Sequence, residues 1–330
     1  MGAAGAAARM AVAMRIVSLL PSATDIACAL GLERQLVGVS HSCDAPAAAG
    51  LPRVTRTRIP HDAPSREIDL AVRAALARGD SLYEVEAGLL RELAPDLILT
   101  QDLCDVCAVG EAEVTTALRE ACLAPRVLTL GPRTLAEVWQ CIRLVGHATA
   151  RDQAADALVS ELETRVSRVR QVTRPAARPR VAFLEWLDPP IVGGHWNPEL
   201  VELGGGTDVL GAIGAPSRIM TWDEVVASQP DVLCAACCGL TVEQARADLA
   251  VVTERSLCGE PGSPAGCRIV ALDGLGLFSR PGPRLAESLE RLAAALHPGL
   301  FHDQEVGCSP TRRGTTCGDP SDQVVTATGH

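Results

Sequence analysis

Short apolar runs alternate with amphipathic stretches along most of the chain. Residues 15–20 (RIVSLL) form the first apolar run, and the helical stretch opened at Ser22 and Asp25 ends at Gly31. Residues 35–40 (QLVGVS), 96–101 (DLILTQ) and 126–131 (RVLTLG) read as further buried strands. Residues 41–65 carry no period and read as irregular. Ser81 to Glu84 has capping-box form, which predicts a helix running to Leu93. Glu111–Cys122 is helical in pattern, and Thr134 with Glu137 caps another helix. From His147 to Val172 there is no Gly or Pro, and Ala155, Leu158, Val159, Leu162, Val166, Val169 and Val172 recur at three- and four-residue steps. That pattern predicts one helix of about 25 residues, roughly 40 Å long. The second half repeats the alternation. Strands are expected at 181–186, 231–237 and 268–273, and helices at 198–203 and 284–297. Thr221 with Glu224 and Thr241 with Gln244 form two more capping boxes.

Alternating β and α segments imply an α/β fold with parallel sheets covered by helices on both faces. The expected architecture is two doubly wound parallel-sheet lobes joined by one long rigid α-helix. The boundaries are a flexible N-terminus over 1–13, a lobe over 14–146, the linker helix over 147–173, a second lobe over 174–298 and a disordered tail over 299–330. In such folds ligands sit beyond the carboxyl ends of the strands.

Composition narrows the function. The 330 residues carry 30 basic and 40 acidic side chains, a net charge of −10, and every basic residue is Arg. This excludes Lys-dependent chemistry and disfavours nucleic acid as a partner. No stretch free of Asp, Glu and Arg exceeds eleven residues, too short for a membrane span of about 20. Thirteen cysteines is a high and odd number. Met1 to Met14 lacks the apolar segment of a secretory signal, so the expectation is a cytoplasmic protein with reduced thiols, a short organellar leader staying open.

The strand ends hold the candidate chemistry. Ser22 either caps a helix or faces a ligand there. After the second strand come Cys43 and Asp44, then Arg53, Arg56 and Arg58, which suit anionic or amide oxygens or a solvated loop. Cys104 and Cys107 form a CxxC, a metal clamp or dithiol pair. Trp186 ends one strand, and the turn through Gly193 and Gly194 presents His195 and Trp196. With Phe278, these are three of only eight aromatic residues. They suit a broad, flat, partly apolar ligand, or else packing between the lobes. His195 is either a metal ligand or a hydrogen-bonding group. Arg280 follows the last strand, in reach of the cleft. On this fold Cys43, Cys104, Cys107, Cys237, Cys238 and His195 line one cleft, where thiolates and imidazole suit zinc, an iron–sulfur centre, or a cobalt or iron chelate. Each thiol also has an inert reading as a buried hydrophobe.

The stretches SLLPSATDIACALGL, SHSCDAP with LPRVTRTRI, TQDLCDVCAV, DPPIVGGHWNPELVELGGG and LFSRPGPRL resemble the iron-complex/vitamin B12 periplasmic-binding family of ABC-importer substrate-binding proteins. The resemblance spans roughly residues 14–298 and points to a leaderless, Cys-containing branch. It implies a class III periplasmic-binding fold, with a metal chelate held between the lobes. Carried over, the cleft positions are Ser22, Cys43, Asp44, Arg56, Cys104, Cys107, Trp186, His195, Trp196, Cys238 and Arg280. Cys237 stands where the branch has Pro, which leaves it without an implied role. The expected ligand is cobalamin or a related corrinoid, with zinc or iron as the further possibility. The ligand-binding set is Ser22, Asp44, Arg56, Trp186, His195, Trp196, Phe278 and Arg280, and the metal set is Cys43, Cys104, Cys107 and Cys238. The expected role is intracellular binding of a small-molecule chelate outside transport, and no surface for a permease is identifiable. The alternatives are a thiol- or metal-dependent enzyme and a protein for bare zinc or iron. No paired acid/base set, GxGxxG or Walker loop supports catalysis.

Overall fold

The computed structural model describes residues 14–60, 63–103, 109–252 and 267–301. The first sheet is fully parallel and runs β2 (Leu36–Val39), β1 (Ile16–Ser18), β5 (Leu97–Gln101), β6 (Arg126–Leu130). The second is built on parallel β7 (Arg180–Leu187), β11 (Val232–Ala235) and β12 (Arg268–Ala271). It adds β9 (Thr207–Asp208) parallel to β7, and an antiparallel edge of β8 (Pro190–Val192) and β10 (Arg218–Ile219). The α/β class and the two sheets follow the alternation, and the antiparallel edge is an addition to it. Strand β7 is buried on both faces from Val181 to Leu184, which explains its apolar run up to Glu185.

The connector differs from the expectation in one respect. Helix α5 (Leu135–Ala148) ends where the long helix was expected to begin, and α6 (Asp152–Thr173) carries the linker alone. Its 22 residues span about 33 Å. At the break the Thr149 hydroxyl donates back to the Val145 carbonyl at 2.8 Å, and Ala150 takes a left-handed conformation, φ 56°. Neither Gly nor Pro marks this corner, so the sequence pattern runs through it. Gly146 lets the two helices meet closely: a Cβ there would lie 2.5 Å from the Ala155 methyl. The buried stripe of α6 is Ala155, Val159, Leu162 and Val169, close to the expected one. It belongs to one apolar cluster running from Ile16 and Leu97 of the first sheet to Phe183 and Val232 of the second. Arg165 of α6 adds a two-pronged ion pair to Glu290 on α10 (Leu285–Leu296), at 2.9 and 2.7 Å.

Three segments of the first lobe depart from the pattern. Residues 81–84 are not a helix start. Tyr83–Val85 is strand β4, paired antiparallel with β3 (Thr55–Thr57) inside the stretch expected to be irregular. The Ser81 hydroxyl donates to Glu113 at 3.0 Å instead of capping a helix, and α3 starts later, at Ala87 (Ala87–Leu93). Helix α2 (Ser65–Ala77) was not anticipated, although Ile68, Val72 and Ala75 recur at helical spacing along it; among its residues only Ser65 and Ala75 are buried. Ser22 does not cap α1 (Pro21–Ala29). Pro21 occupies the first turn and Leu20 is the cap position, with no side-chain bond. The boxes at Thr134, Thr221 and Thr241 do form.

Candidate functional site

A cavity of about 450 Å³ lies between the lobes. The first lobe supplies Thr57 and Tyr83 from the β3–β4 ribbon, Ile68 and Val72 from α2, and Leu103 beyond β5. The second supplies Glu185 and Trp186 from the end of β7, with Ile191, His195, Ser217 and Cys238. Its walls are mostly apolar, with a few polar groups converging, as small-molecule sites commonly are.

Local structure explains why these side chains meet. Neighbours on a strand face opposite sides, yet Glu185 and Trp186 both reach the cavity. The β7–β8 register shifts between Leu184 and Trp186, and the irregularity turns Glu185 toward the same space. The Glu185 carboxylate accepts from Gly194 N–H at 3.4 Å and Asn197 Nδ2 at 3.5 Å, and interacts with the Ser217 side chain. Burial pushes its carboxyl above the usual range against those hydrogen bonds. Trp186 is 9% exposed, and its indole N–H is buried without a hydrogen-bond partner.

His195 sits on a tight turn with φ 55°. Its N–H donates to Ala215 O at 2.7 Å and its carbonyl accepts from Gly214 N–H at 2.9 Å. Gly194 is required there, because a Cβ would stand 2.3 Å from the backbone nitrogen of Ser217. Burial, with Arg133 nearby, lowers the imidazole below its ordinary value and so favours its neutral form.

The aromatic cluster expected in the cleft divides. Only Trp186 of the three lines the cavity. Trp196 is 5% exposed and donates from Nε1 to the Phe278 carbonyl at 2.9 Å. The Phe278 ring packs on Phe183 with centroids 5.4 Å apart. Both are core residues beneath the cleft.

A second group meets at the seam between the lobes, apart from the cavity. Arg280 is 5% exposed and donates to both carboxylate oxygens of Asp44, at 2.6 and 2.9 Å. Asp25 of α1 lies 4.0 Å from the same guanidinium, and its Oδ2 is buried without a hydrogen bond. The Arg280 hydrogen bond holds the Asp44 carboxyl below the usual range, while burial pushes Asp25 up against the pull of Arg280. Ser22 is buried where the loop at Gly282 approaches α1. Cys43 is buried, with Sγ 3.1 Å from Thr24 Oγ1 and 3.2 Å from Ser40 Oγ. Arg53 donates to the carbonyls of Ser40 and Cys43 at 3.0 and 2.6 Å, fixing this loop. None of Ser22, Cys43, Asp44 and Arg280 lines the cavity. Arg56 points away from it: strand parity sets it opposite Thr57, and it pairs with Glu86 on the surface.

The expected metal set is not brought together among the described residues. Cys104 and Cys107 lie outside them. Cys238 lines the cavity, whereas Cys43 is in the first lobe's interior. Among the described residues no three His, Cys, Asp or Glu side chains form a metal-holding group. Burial raises the thiol of Cys237, which keeps it protonated. Among the described residues no helix is long and apolar enough to cross a membrane. Sequence reasoning missed Glu185, Tyr83 and helix α2. A charged residue beside Trp186 at the end of an apolar strand was the available sign for the first; the capping-box reading of residues 81–84 hid the second.

No family model matches the chain. It is 25% identical over 303 residues to the uncharacterized ABC transporter substrate-binding lipoprotein YvrC of Bacillus subtilis, covering 88% of this chain and 82% of that one. It is 25% identical over 225 residues to the vitamin B12-binding protein of Vibrio cholerae, covering 67% and 70%. The apo periplasmic heme-binding protein RhuT from Roseiflexus sp. RS-1 superposes with a TM-score of 0.63 at 24% identity, over 87% of this chain and 99% of that one. The homologues and structural neighbours of this chain are thus ABC-transporter substrate-binding proteins of the B12, heme and iron-complex periplasmic-binding family, and its fold is their class III α/β fold.

Proposed function

We propose that this protein binds a corrinoid or another metal chelate of similar breadth in the cavity between its lobes. The observation that carries this reading is the wall made by Trp186, a large aromatic surface that lines the cavity together with Ile68, Val72 and Leu103 of the opposite lobe. Relatives named for vitamin B12 and heme support the ligand class. The neutral His195 ring offers a lone pair toward the chelated metal.

Trp186→Phe separates packing from recognition. It keeps most of the ring and removes the N–H. The apo protein should be as stable as the wild type or slightly more so. Affinity for aquocobalamin, read from quenching of the remaining tryptophans, should fall severalfold, because Phe offers the ligand a smaller aromatic face. Unchanged affinity would place the ligand elsewhere.

The proposal includes action inside the cell, outside transport. Its support is the cysteine count: thirteen, an odd number, in a chain large enough to build its core without disulfides. Cell fractionation is the check, and recovery in an exported fraction would reject it.

A further inference from the structure

We infer that the protein carries a second binding site, outside the cleft, for the diphosphate group of a small anion. A cavity of about 750 Å³ opens on the second lobe beside the start of β7, at the opposite end of that strand from the cavity beside Trp186. One wall is the end of α6. Ser167, Arg170, Gln171 and Arg174 line it at steps of three and four, so they share one helix face. The other wall is Arg178, with Glu202 and Leu203 at the end of helix α7 (Asn197–Leu203).

The charge here runs against that of the chain. Residues 164–184 contain six Arg and no Asp or Glu, whereas the whole chain carries −10. Three of the six are committed elsewhere. Arg165 pairs with Glu290, and Arg180 donates to the carbonyls of Ser228 and Gln229. Arg178 donates to the Glu202 carboxylate and to the carbonyls of Glu202 and Gly206. Glu202, the one acid in the lining, is therefore neutralised, and α7 has its cap. Arg170 and Arg174 are exposed, and among the described residues their side chains have neither an ion pair nor a hydrogen bond. The carbonyl ends of α6 and α7 carry at most about half a negative charge each, less than two guanidinium groups supply. Those two groups stand one helical turn apart, roughly 5–6 Å at Cβ. A carboxylate has a single charge and two oxygens. A diphosphate has oxygens for both guanidinium forks and charge to match both, with Ser167 and Gln171 on the same face as further donors.

Calorimetric titration of the full chain with pyrophosphate, and separately with ADP, tests the site. One-to-one saturable binding of at least one of them is expected at low salt. Tighter pyrophosphate would mean that the group is taken free, and tighter ADP that it arrives on a carrier. Arg170→Gln with Arg174→Gln should weaken the binding at least about tenfold, the worth of the lost charge-assisted hydrogen bonds. Both side chains are exposed, so the double variant should fold as the wild type does. Arg168→Gln is the control: it removes an exposed Arg of the same helix that does not line the cavity, and should bind nearly as the wild type. No saturable binding of either compound would overturn the site. So would a double variant that binds unchanged, or a loss in Arg168→Gln as large as in the double variant, which would reduce the effect to diffuse charge. None of these residues lines the cavity beside Trp186, so the chelate reading stands or falls separately.

Discussion

Replacing Asp25 and Asp44 together by Asn should lower the unfolding free energy by about 2–3 kcal/mol, less than for a fully buried pair because the Asp44 side chain is itself more than half exposed. The Arg280 guanidinium is almost fully enclosed at the seam between the lobes, 5% exposed. Its counter-charges are Asp44, with two short hydrogen bonds, and Asp25, 4.0 Å away. The single changes should behave differently. Asp44→Asn removes the bidentate partner and leaves Asp25 to take over part of the charge, so its cost is smaller. Asp25→Asn removes a carboxylate whose burial already raises it, and should be near neutral. The double variant therefore loses more than the sum of the singles, and a denaturant-unfolding cycle measures the coupling. The pH dependence follows the two shifts. Asp44 is held low, so its contribution is present above the ordinary carboxylate range and is lost as pH falls through its folded value. Asp25 is held high, so its contribution is present in acid and is lost as pH rises through its folded value. The singles should thus tilt the stability–pH curve in opposite directions. Equal stability of the double variant and the wild type would mean the seam is not closed in solution.

Gly274→Ala should be the most damaging small substitution near the cavity. This glycine begins the π-helical turn Gly274–Phe278 after β12. A Cβ there would stand 1.9 Å from the Cys237 carbonyl oxygen and 2.4 Å from its carbon. Both obstacles are backbone, so no side chain can yield. The turn also donates from Leu275 N–H to Leu240 O at 2.9 Å, tying it to the segment that carries Cys238 into the cavity. Its last residue, Phe278, holds the Trp196 indole through its carbonyl. Overpacking usually costs about 1–3 kcal/mol, and a clash with fixed backbone exceeds that range. We expect a loss above about 3 kcal/mol in thermal or urea unfolding, together with weaker chelate binding. Gly88→Ala is the control. It lies in helix α3 with open space around its added methyl, and should stabilise by about 0.5–1 kcal/mol. Wild-type stability of Gly274→Ala would show that the 236–240 segment shifts freely, contrary to this account of the cavity wall.

The order of the parallel strands was legible because buried parallel strands leave short, nearly continuous apolar runs. The stripe on α6 was legible for the same reason, since Ala155, Val159, Leu162 and Val169 repeat at helical spacing. What failed was local and carried no sequence mark. The corner at Thr149–Arg151 is made by a side-chain hydroxyl and a left-handed alanine, with no Gly or Pro. The β3–β4 ribbon depends on pairing between residues up to 30 positions apart, as in Thr55 with Val85. At the site, Trp186 and His195 were readable as strand-end residues. Their separation from Trp196 and Phe278 was not, because aromatic side chains beside a cleft and beneath it look alike in sequence. Arg280 was expected to reach the cleft and lies at the seam apart from the cavity instead; that Asp44, 236 positions away, neutralises it there could come only from the fold.

The central claim is that the cavity beside Trp186 holds a metal chelate. The most direct measurement is to mix the purified, reduced protein with aquocobalamin, desalt it and record the visible spectrum. The account predicts a corrinoid band co-eluting with the protein at close to one equivalent, weakened in Trp186→Phe. Protein that elutes colourless, with all the corrinoid in the small-molecule fraction, would contradict it.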